Sequence, residues 1–135
     1  MSSGFDVKDS IMQIKPYVPG ESKLTTDKPI RQLAANEAPM GASPKAIEAA
    51  QDSVAQLNRY PEGGAVALRE KIGERFGFPP EQLICGAGSD EIIALICQAF
   101  TGEGGEVLYS QHGFLMYKIS ALAAGATPVS APESN

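Results

Sequence analysis

Hydrophobic residues recur every three or four positions in three stretches of the first half of the chain. Each stretch predicts an amphipathic helix, over residues 6–14, 44–57 and 66–76. Pro44 directly follows a serine, which is a typical helix start, and Gly77 is a typical helix end. Between these helices the chain is polar and rich in glycine and proline, apart from a short extended segment predicted at residues 30–34.

The pattern changes after two consecutive prolines at positions 79 and 80, where short apolar runs begin to alternate with helical stretches. The predicted order is strand 83–85, helix 90–100, strand 106–110, helix 114–125 and strand 127–131. This alternation is typical of a parallel sheet covered by helices. The predicted fold class is therefore α/β, with an N-terminal helical arm followed by the start of a mostly parallel sheet with covering helices. A strand of this type normally leads into another helix, so we expect the sequence to be interrupted after Asn135.

Charge and composition narrow the possible partners. The formal net charge is −5 and the basic residues are scattered, which argues against binding to nucleic acid or to an anionic membrane. No apolar run is long enough to cross a bilayer, and the first residues lack the pattern of a signal peptide, so we expect a cytoplasmic protein. Two cysteines, Cys85 and Cys97, provide neither a disulfide framework nor a metal-ligand set, and we expect both to be buried. The single histidine, His112, is expected in an exposed loop.

The most specific chemical signal is the sequence Gly-Ala-Gly-Ser-Asp-Glu at residues 86–91, between a predicted strand and a predicted helix. Glycines let a ligand approach the backbone closely, and the free N–H groups and dipole of the next helix favour an anion such as phosphate. The alternative is a plain tight turn in which Ser89 or Asp90 caps the helix. The stretch is neither a Walker A loop nor a complete dinucleotide fingerprint, because Glu91 stands where the third glycine belongs. Since ligands bind beyond the carboxyl ends of parallel strands, residues 111–114 form a second candidate loop.

Several segments, in order and across nearly the whole chain, resemble the N-terminal portion of the histidinol-phosphate aminotransferase family. They are residues 17–20, 33–41, 43–46, 58–62, 67–69, 86–91 and 116–117. The family consists of pyridoxal-phosphate enzymes with the fold of aspartate aminotransferase. The resemblance therefore implies the pyridoxal-phosphate-dependent transferase fold, incomplete in this chain. Residues 1–42 are then the N-terminal arm and substrate-side loops, and residues 43–135 are the first part of the large cofactor-binding domain.

The resemblance also implies which residues bind the cofactor, pyridoxal 5'-phosphate. The loop residues that hold its phosphate in the family match Gly88, Ser89, Asp90 and Glu91. Phe114, where many members have tyrosine, matches the residue that stacks on the pyridine ring. Tyr60 matches a residue that reaches the cofactor phosphate in the neighbouring subunit of a homodimer. On the substrate side, the matching residues are Tyr17, Asn36 and Glu37.

The reaction implied by the resemblance is amino-group transfer between histidinol phosphate, a phosphorylated amino substrate, and 2-oxoglutarate, which becomes glutamate, in histidine biosynthesis. A related aromatic aminotransferase or phospho-amino-acid decarboxylase shares the fold and the loop. The family's Schiff-base lysine lies in a Ser-x-x-Lys or Ser-Lys context, but the pair Ser22-Lys23 stands in an irregular segment. We therefore expect no catalytic lysine here and no transamination by this chain alone. The alternative is a non-catalytic relic that binds a phosphorylated ligand or pairs with another subunit.

Overall fold

A computed structural model describes residues 7–17 and 37–134 of the chain. The chain divides into two compact units. The smaller unit spans Tyr17–Gly64, and the larger unit joins the stretch up to Pro16 with Ala65–Asn135. The extended segment predicted at residues 30–34 lies outside the described residues, as does Ser22-Lys23.

The smaller unit contains helix α2, Pro44–Val54, whose start agrees with the sequence prediction. Ser43 occupies the N-cap position and Pro44 the first helical position, although the Ser43 side chain makes no capping hydrogen bond. The helix ends three residues before the predicted position 57, in a turn in which the Leu57 N–H donates to the Val54 carbonyl oxygen. All of its residues are exposed, including its apolar face.

The larger unit holds a parallel two-stranded sheet, which confirms the α/β fold class. Strand β1, Glu106–Ser110, pairs with strand β2, Thr127–Ala131, in register from Glu106 opposite Thr127 to Ser110 opposite Ala131. Helix α5, Met116–Ala124, connects the two strands, as the β-α-β pattern predicts. It ends at Gly125, whose φ of +84° is the left-handed conformation that glycine tolerates.

The predicted strand at residues 83–85 is wrong. Leu83 has the extended backbone of a strand, with φ −106° and ψ 135°, but the sheet of the described chain consists of β1 and β2. A strand requires hydrogen bonds to a neighbouring strand, and these residues have none there. Ile84 is consequently 71% exposed.

The core of the larger unit is formed where helix α4, Gly88–Phe100, packs against α5. Its buried apolar residues are Cys97, Ala121, Leu122 and Ala126. The prediction that Cys97 is buried is confirmed, and this burial raises the pKa of its thiol. Cys85 is only half-buried, so the prediction for that residue is wrong, because the segment that carries it lacks a neighbouring strand.

Helix α3, Val66–Phe76, has the predicted bounds and ends at Gly77 with φ +77°. It anchors the 3₁₀ turn Pro80–Gln82, because Arg69 Nη1 donates to the Pro80 carbonyl oxygen at 3.2 Å. The turn leads into the glycine-rich loop, so this contact fixes the start of that loop. Helix α1, Asp9–Met12, is shorter than predicted and packs against α5. Among the helices of the described residues, none combines the length and hydropathy needed to cross a membrane.

Candidate functional site

The glycine-rich loop makes a tight turn directly before α4. The Gly88 N–H donates to the Gly86 carbonyl oxygen at 2.8 Å, and Ala87 has φ −75° and ψ 65°, which together describe an inverse γ-turn. Gly88 then takes φ +80°, and a Cβ placed there meets nothing within 4 Å. The position therefore needs glycine for its backbone conformation and not for lack of space.

The start of α4 presents backbone N–H groups that the helix itself does not satisfy. The N–H groups of Ser89 and Asp90 belong to the first turn, where no carbonyl four residues earlier lies within the helix. The Ala87 N–H instead donates to Glu91 Oε2 at 2.6 Å. Ala87 is the N-cap residue, and no side chain bonds from that position.

The alternative in which Ser89 or Asp90 caps the helix is therefore wrong. Both residues lie inside the first turn, because α4 begins at Gly88, two residues before the predicted start. The γ-turn ends the loop at Gly88, before the two polar residues that were candidates for the cap. The Glu91 carboxylate accepts the Ala87 N–H instead. Because the Ser89 hydroxyl takes no part in capping the helix, it is available for a ligand.

The geometry of this loop fits an anionic group such as phosphate. Open space at Gly88, first-turn N–H donors and the positive end of the α4 dipole all favour negative charge. The Glu91 carboxylate accepts the N–H of the neighbouring N-cap residue Ala87, so an incoming anion meets the charge of that side chain. Apart from the Ser89 hydroxyl, the donors that remain are the backbone N–H groups of Ser89 and Asp90, which agrees with a phosphate held mainly through N–H groups.

The second candidate loop follows the carboxyl end of β1. The Gln111 N–H donates to the Ala131 carbonyl oxygen at 2.9 Å, and the Gly113 N–H donates to the Ser110 carbonyl oxygen at 2.8 Å. A Cβ on Gly113 would lie 2.8 Å from Ser110 Oγ and 2.9 Å from the Ser110 carbonyl oxygen. Only glycine therefore permits this turn, which leads directly into Phe114.

Phe114 lies between this turn and α5, and not inside the helix as predicted, because α5 begins at Met116. Its ring meets the Tyr117 ring edge to face, with centroids 6.5 Å apart and an interplanar angle of 85°. The residue is 42% exposed. One partner thus holds the ring while part of its surface stays open for stacking on a flat ligand.

Sequence reasoning missed Glu133, which lies beside the second loop. His112 is exposed, as predicted, but its Nδ1 lies 2.9 Å from Glu133 Oε2, and its backbone N–H donates to Glu133 Oε1 at 3.3 Å. The bonds from His112 lower the pKa of the Glu133 carboxyl group. The two residues are 21 positions apart, and no local pattern signals their pairing.

The remaining predicted site residues belong to the smaller unit or lie outside the described residues. Tyr60 is 97% exposed and lines an open groove of about 430 Å³ together with Arg59 and Leu57. Tyr17 is 54% exposed, and Glu37 is also exposed. Asn36 lies outside the part of the chain that the structure describes. The larger unit thus contains the two loops, and the smaller unit contains Tyr17 and Tyr60.

The fold is that of the pyridoxal-phosphate-dependent aminotransferases. It matches the crystal structure of histidinol-phosphate aminotransferase from Sinorhizobium meliloti in complex with pyridoxal-5'-phosphate with a TM-score of 0.79. The match covers 98% of this chain and 37% of that one at 20% sequence identity. A sequence model of the aminotransferase class I and II family matches residues 28–135. The chain belongs to that family.

Curated relatives agree with the resemblance found in the sequence. The chain is 52% identical over 126 residues to histidinol-phosphate aminotransferase of Paramagnetospirillum magneticum. It is also 52% identical over 125 residues to the protein of that name from Rhodospirillum centenum. These alignments cover 93% of this chain but 35% and 34% of the relatives. The chain therefore spans about a third of the length of the relatives that it matches.

Proposed function

We propose that residues 86–91 hold the phosphate of pyridoxal 5'-phosphate in an enzyme that transfers an amino group between histidinol phosphate and 2-oxoglutarate. The observation that carries this proposal is the loop itself, where Gly88 in a left-handed conformation opens onto the first-turn N–H groups of α4. The names of the relatives that are about half identical support the reaction. The solved neighbour of the same fold was crystallised with this cofactor.

Within this proposal, the residues of the larger unit bind and orient the cofactor. The first-turn N–H groups of Ser89 and Asp90 and the Ser89 hydroxyl receive the phosphate. The partly open Phe114 ring stacks on the pyridine ring. When bound, the cofactor supplies an electron sink for the bonds at the substrate's amino-bearing carbon.

The residues of the smaller unit serve the substrate and a second subunit. Tyr60 is almost fully exposed beside an open groove, as expected of a side chain that completes the phosphate site of a partner in a homodimer. Tyr17, Asn36 and Glu37 serve to bind the phosphorylated amino substrate and glutamate. The working enzyme is cytoplasmic, in keeping with a pathway of amino-acid biosynthesis.

We further propose that the 135-residue polypeptide binds the cofactor without transaminating. None of the lysines that the structure describes stands in the family's Ser-x-x-Lys or Ser-Lys context, and Lys23, which follows a serine, lies outside the described residues. Without such a lysine amine, no group in the site moves the proton that amino transfer requires. Its expected role is cofactor recognition.

Ligand binding to the chain tests the loop. Pyridoxal 5'-phosphate, pyridoxal and inorganic phosphate are titrated separately, with ligand absorbance and phosphorus NMR as readouts. We expect pyridoxal 5'-phosphate to bind more tightly than pyridoxal, and inorganic phosphate to compete with it. Equal affinities for the phosphorylated and unphosphorylated forms would contradict the assignment of the loop.

Borohydride reduction followed by peptide mass spectrometry tests the absence of a catalytic lysine. We expect that no single lysine is labelled above the level that free cofactor produces on an unrelated protein. A rate of amino transfer from histidinol phosphate to 2-oxoglutarate above that of free cofactor would overturn the second part of the proposal. The assignment of the phosphate-binding loop, which the ligand titrations test, does not depend on that result.

A further inference from the structure

Glu133 connects the ends of the two parallel strands. Glu133 lies two residues beyond the end of β2. Both of its carboxylate oxygens face His112, which lies two residues before Phe114. Oε1 accepts the His112 backbone N–H at 3.3 Å, and Oε2 lies 2.9 Å from His112 Nδ1. The nearby Ser110 hydroxyl also contributes to lowering the pKa of this carboxyl group.

The bonds from Glu133 act on a turn whose path is already set in part by backbone hydrogen bonds. Two backbone bonds, from Gln111 to Ala131 and from Gly113 to Ser110, set its path. Neither of these two backbone bonds involves His112, which lies at the tip of the turn and whose side chain is 73% exposed. The Glu133 carboxylate is therefore the contact that ties this tip to the chain after β2.

We propose that Glu133 is a positioning residue that ties the turn before Phe114 to the end of β2 and thereby sets the orientation of the Phe114 ring. The part of this proposal that concerns ligand stacking rests on the proposed function. The tie itself does not, since it is defined by the two contacts between His112 and Glu133.

An isolated ion pair between His112 and Glu133 would not by itself hold the turn. The side chains of His112 and Glu133 are 73% and 43% exposed, and such pairs contribute little by themselves. Here one carboxylate accepts the His112 backbone N–H and also bonds the His112 ring, so its loss frees the tip of the turn. His112 is the titratable group that faces Glu133, and Ser110 from β1 is neutral.

Three variants of the full 135-residue chain test the tie. Glu133→Ala removes both bonds to His112, whereas Glu133→Gln keeps hydrogen-bonding capacity and removes the charge. Glu106→Gln removes the same charge at the opposite end of β1, where the side chain is exposed, and serves as the matched control. Amide hydrogen exchange at Gly113 reports on the turn.

The Tyr117 ring proton shifts report on the orientation of the Phe114 ring, because the two rings meet edge to face. We expect Glu133→Ala to raise exchange at Gly113 by about twofold to fivefold, in the range of exposed ion pairs, and to move the Tyr117 signals. Glu133→Gln should retain part of the protection. In the unmodified chain the His112 amide signal should follow the titration of the carboxylate, and in Glu133→Gln that dependence should vanish. Glu106→Gln should change none of these readouts.

The affinity for pyridoxal, which lacks the phosphate, separates ring orientation from phosphate binding. We expect Glu133→Ala to weaken binding of pyridoxal and of pyridoxal 5'-phosphate by the same factor of about two to five. Unchanged exchange and unchanged Tyr117 signals in Glu133→Ala would overturn the tie. Altered signals with unchanged affinities would overturn the positioning role. If the unmodified chain binds neither ligand, the proposed function fails, and the Tyr117 signals alone decide whether Glu133 orients the ring.

Discussion

Replacing Gly88 by alanine isolates the backbone contribution to the candidate phosphate site. The residue has φ +80°, and a Cβ at that position meets nothing within 4 Å. The substitution therefore introduces strain without a steric clash. The strain is relieved only by rotating φ, and that rotation reorients the N–H groups at the start of α4.

The cost follows from the left-handed conformation. For an L-residue it is roughly 1–2 kcal/mol, and each 1.4 kcal/mol corresponds to about a tenfold change in an equilibrium constant. If the strain persists, the free energy of unfolding falls by that amount. If the loop relaxes, we expect the affinity for pyridoxal 5'-phosphate to fall by about fivefold to thirtyfold.

Two other glycines provide matched controls. Gly104 has the same φ of +80° and the same open surroundings, but it lies in the loop before β1. Gly102 also has open surroundings and lacks the positive φ. Urea unfolding followed by circular dichroism should show a loss of stability in Gly104→Ala and none in Gly102→Ala. Titration with pyridoxal 5'-phosphate should show weakened binding in Gly88→Ala alone.

The outcomes separate the loop from the general stability of the chain. Equal losses of affinity in Gly88→Ala and Gly104→Ala would show that binding follows global stability, and the loop would not be the site. A Gly88→Ala variant with unchanged stability and unchanged affinity would refute the reasoning about its backbone.

Three further predictions concern charge, packing and pH. Glu91→Gln should tighten binding of inorganic phosphate by roughly fourfold at low salt, because it removes one charge about 5 Å from the anion; titration in 1 M salt should show most of this gain lost, and an equal gain there would contradict it. Gly73→Ala should lower the urea midpoint, because its Cβ would lie 2.5 Å from the Phe78 carbonyl oxygen, a backbone atom. Such a clash costs up to about 3 kcal/mol, against a helix-propensity gain of about 1 kcal/mol; a raised midpoint would contradict this prediction. Burial raises the pKa of Cys97 above its ordinary 9.0, so the stability contributed by this thiol is present below that pH and is lost as the pH rises through the raised pKa. Unfolding measured from pH 8 to 10.5 in the unmodified chain and in Cys97→Ala should differ in slope, and Cys85 should react first with a thiol reagent.

The sequence alone determined the elements that depend on local chemistry. The bounds of α3, β1 and β2 agree with the prediction, as does the start of α2 at Pro44. Periodicity, proline at the first helical position and glycine after the last one act within a few residues, so they are visible without a fold. The loop at residues 86–91 is of the same kind, because its glycines and the next helix are adjacent in the chain.

Tertiary structure decided the features that need a distant partner. Residues 83–85 have strand-like composition, but hydrogen bonds from another strand are what make a strand, and periodicity cannot supply them. The contact between His112 and Glu133 arises because the parallel register places Ser110 opposite Ala131. That register brings together residues 21 positions apart, and it depends on how α5, which connects the strands, packs against both of them.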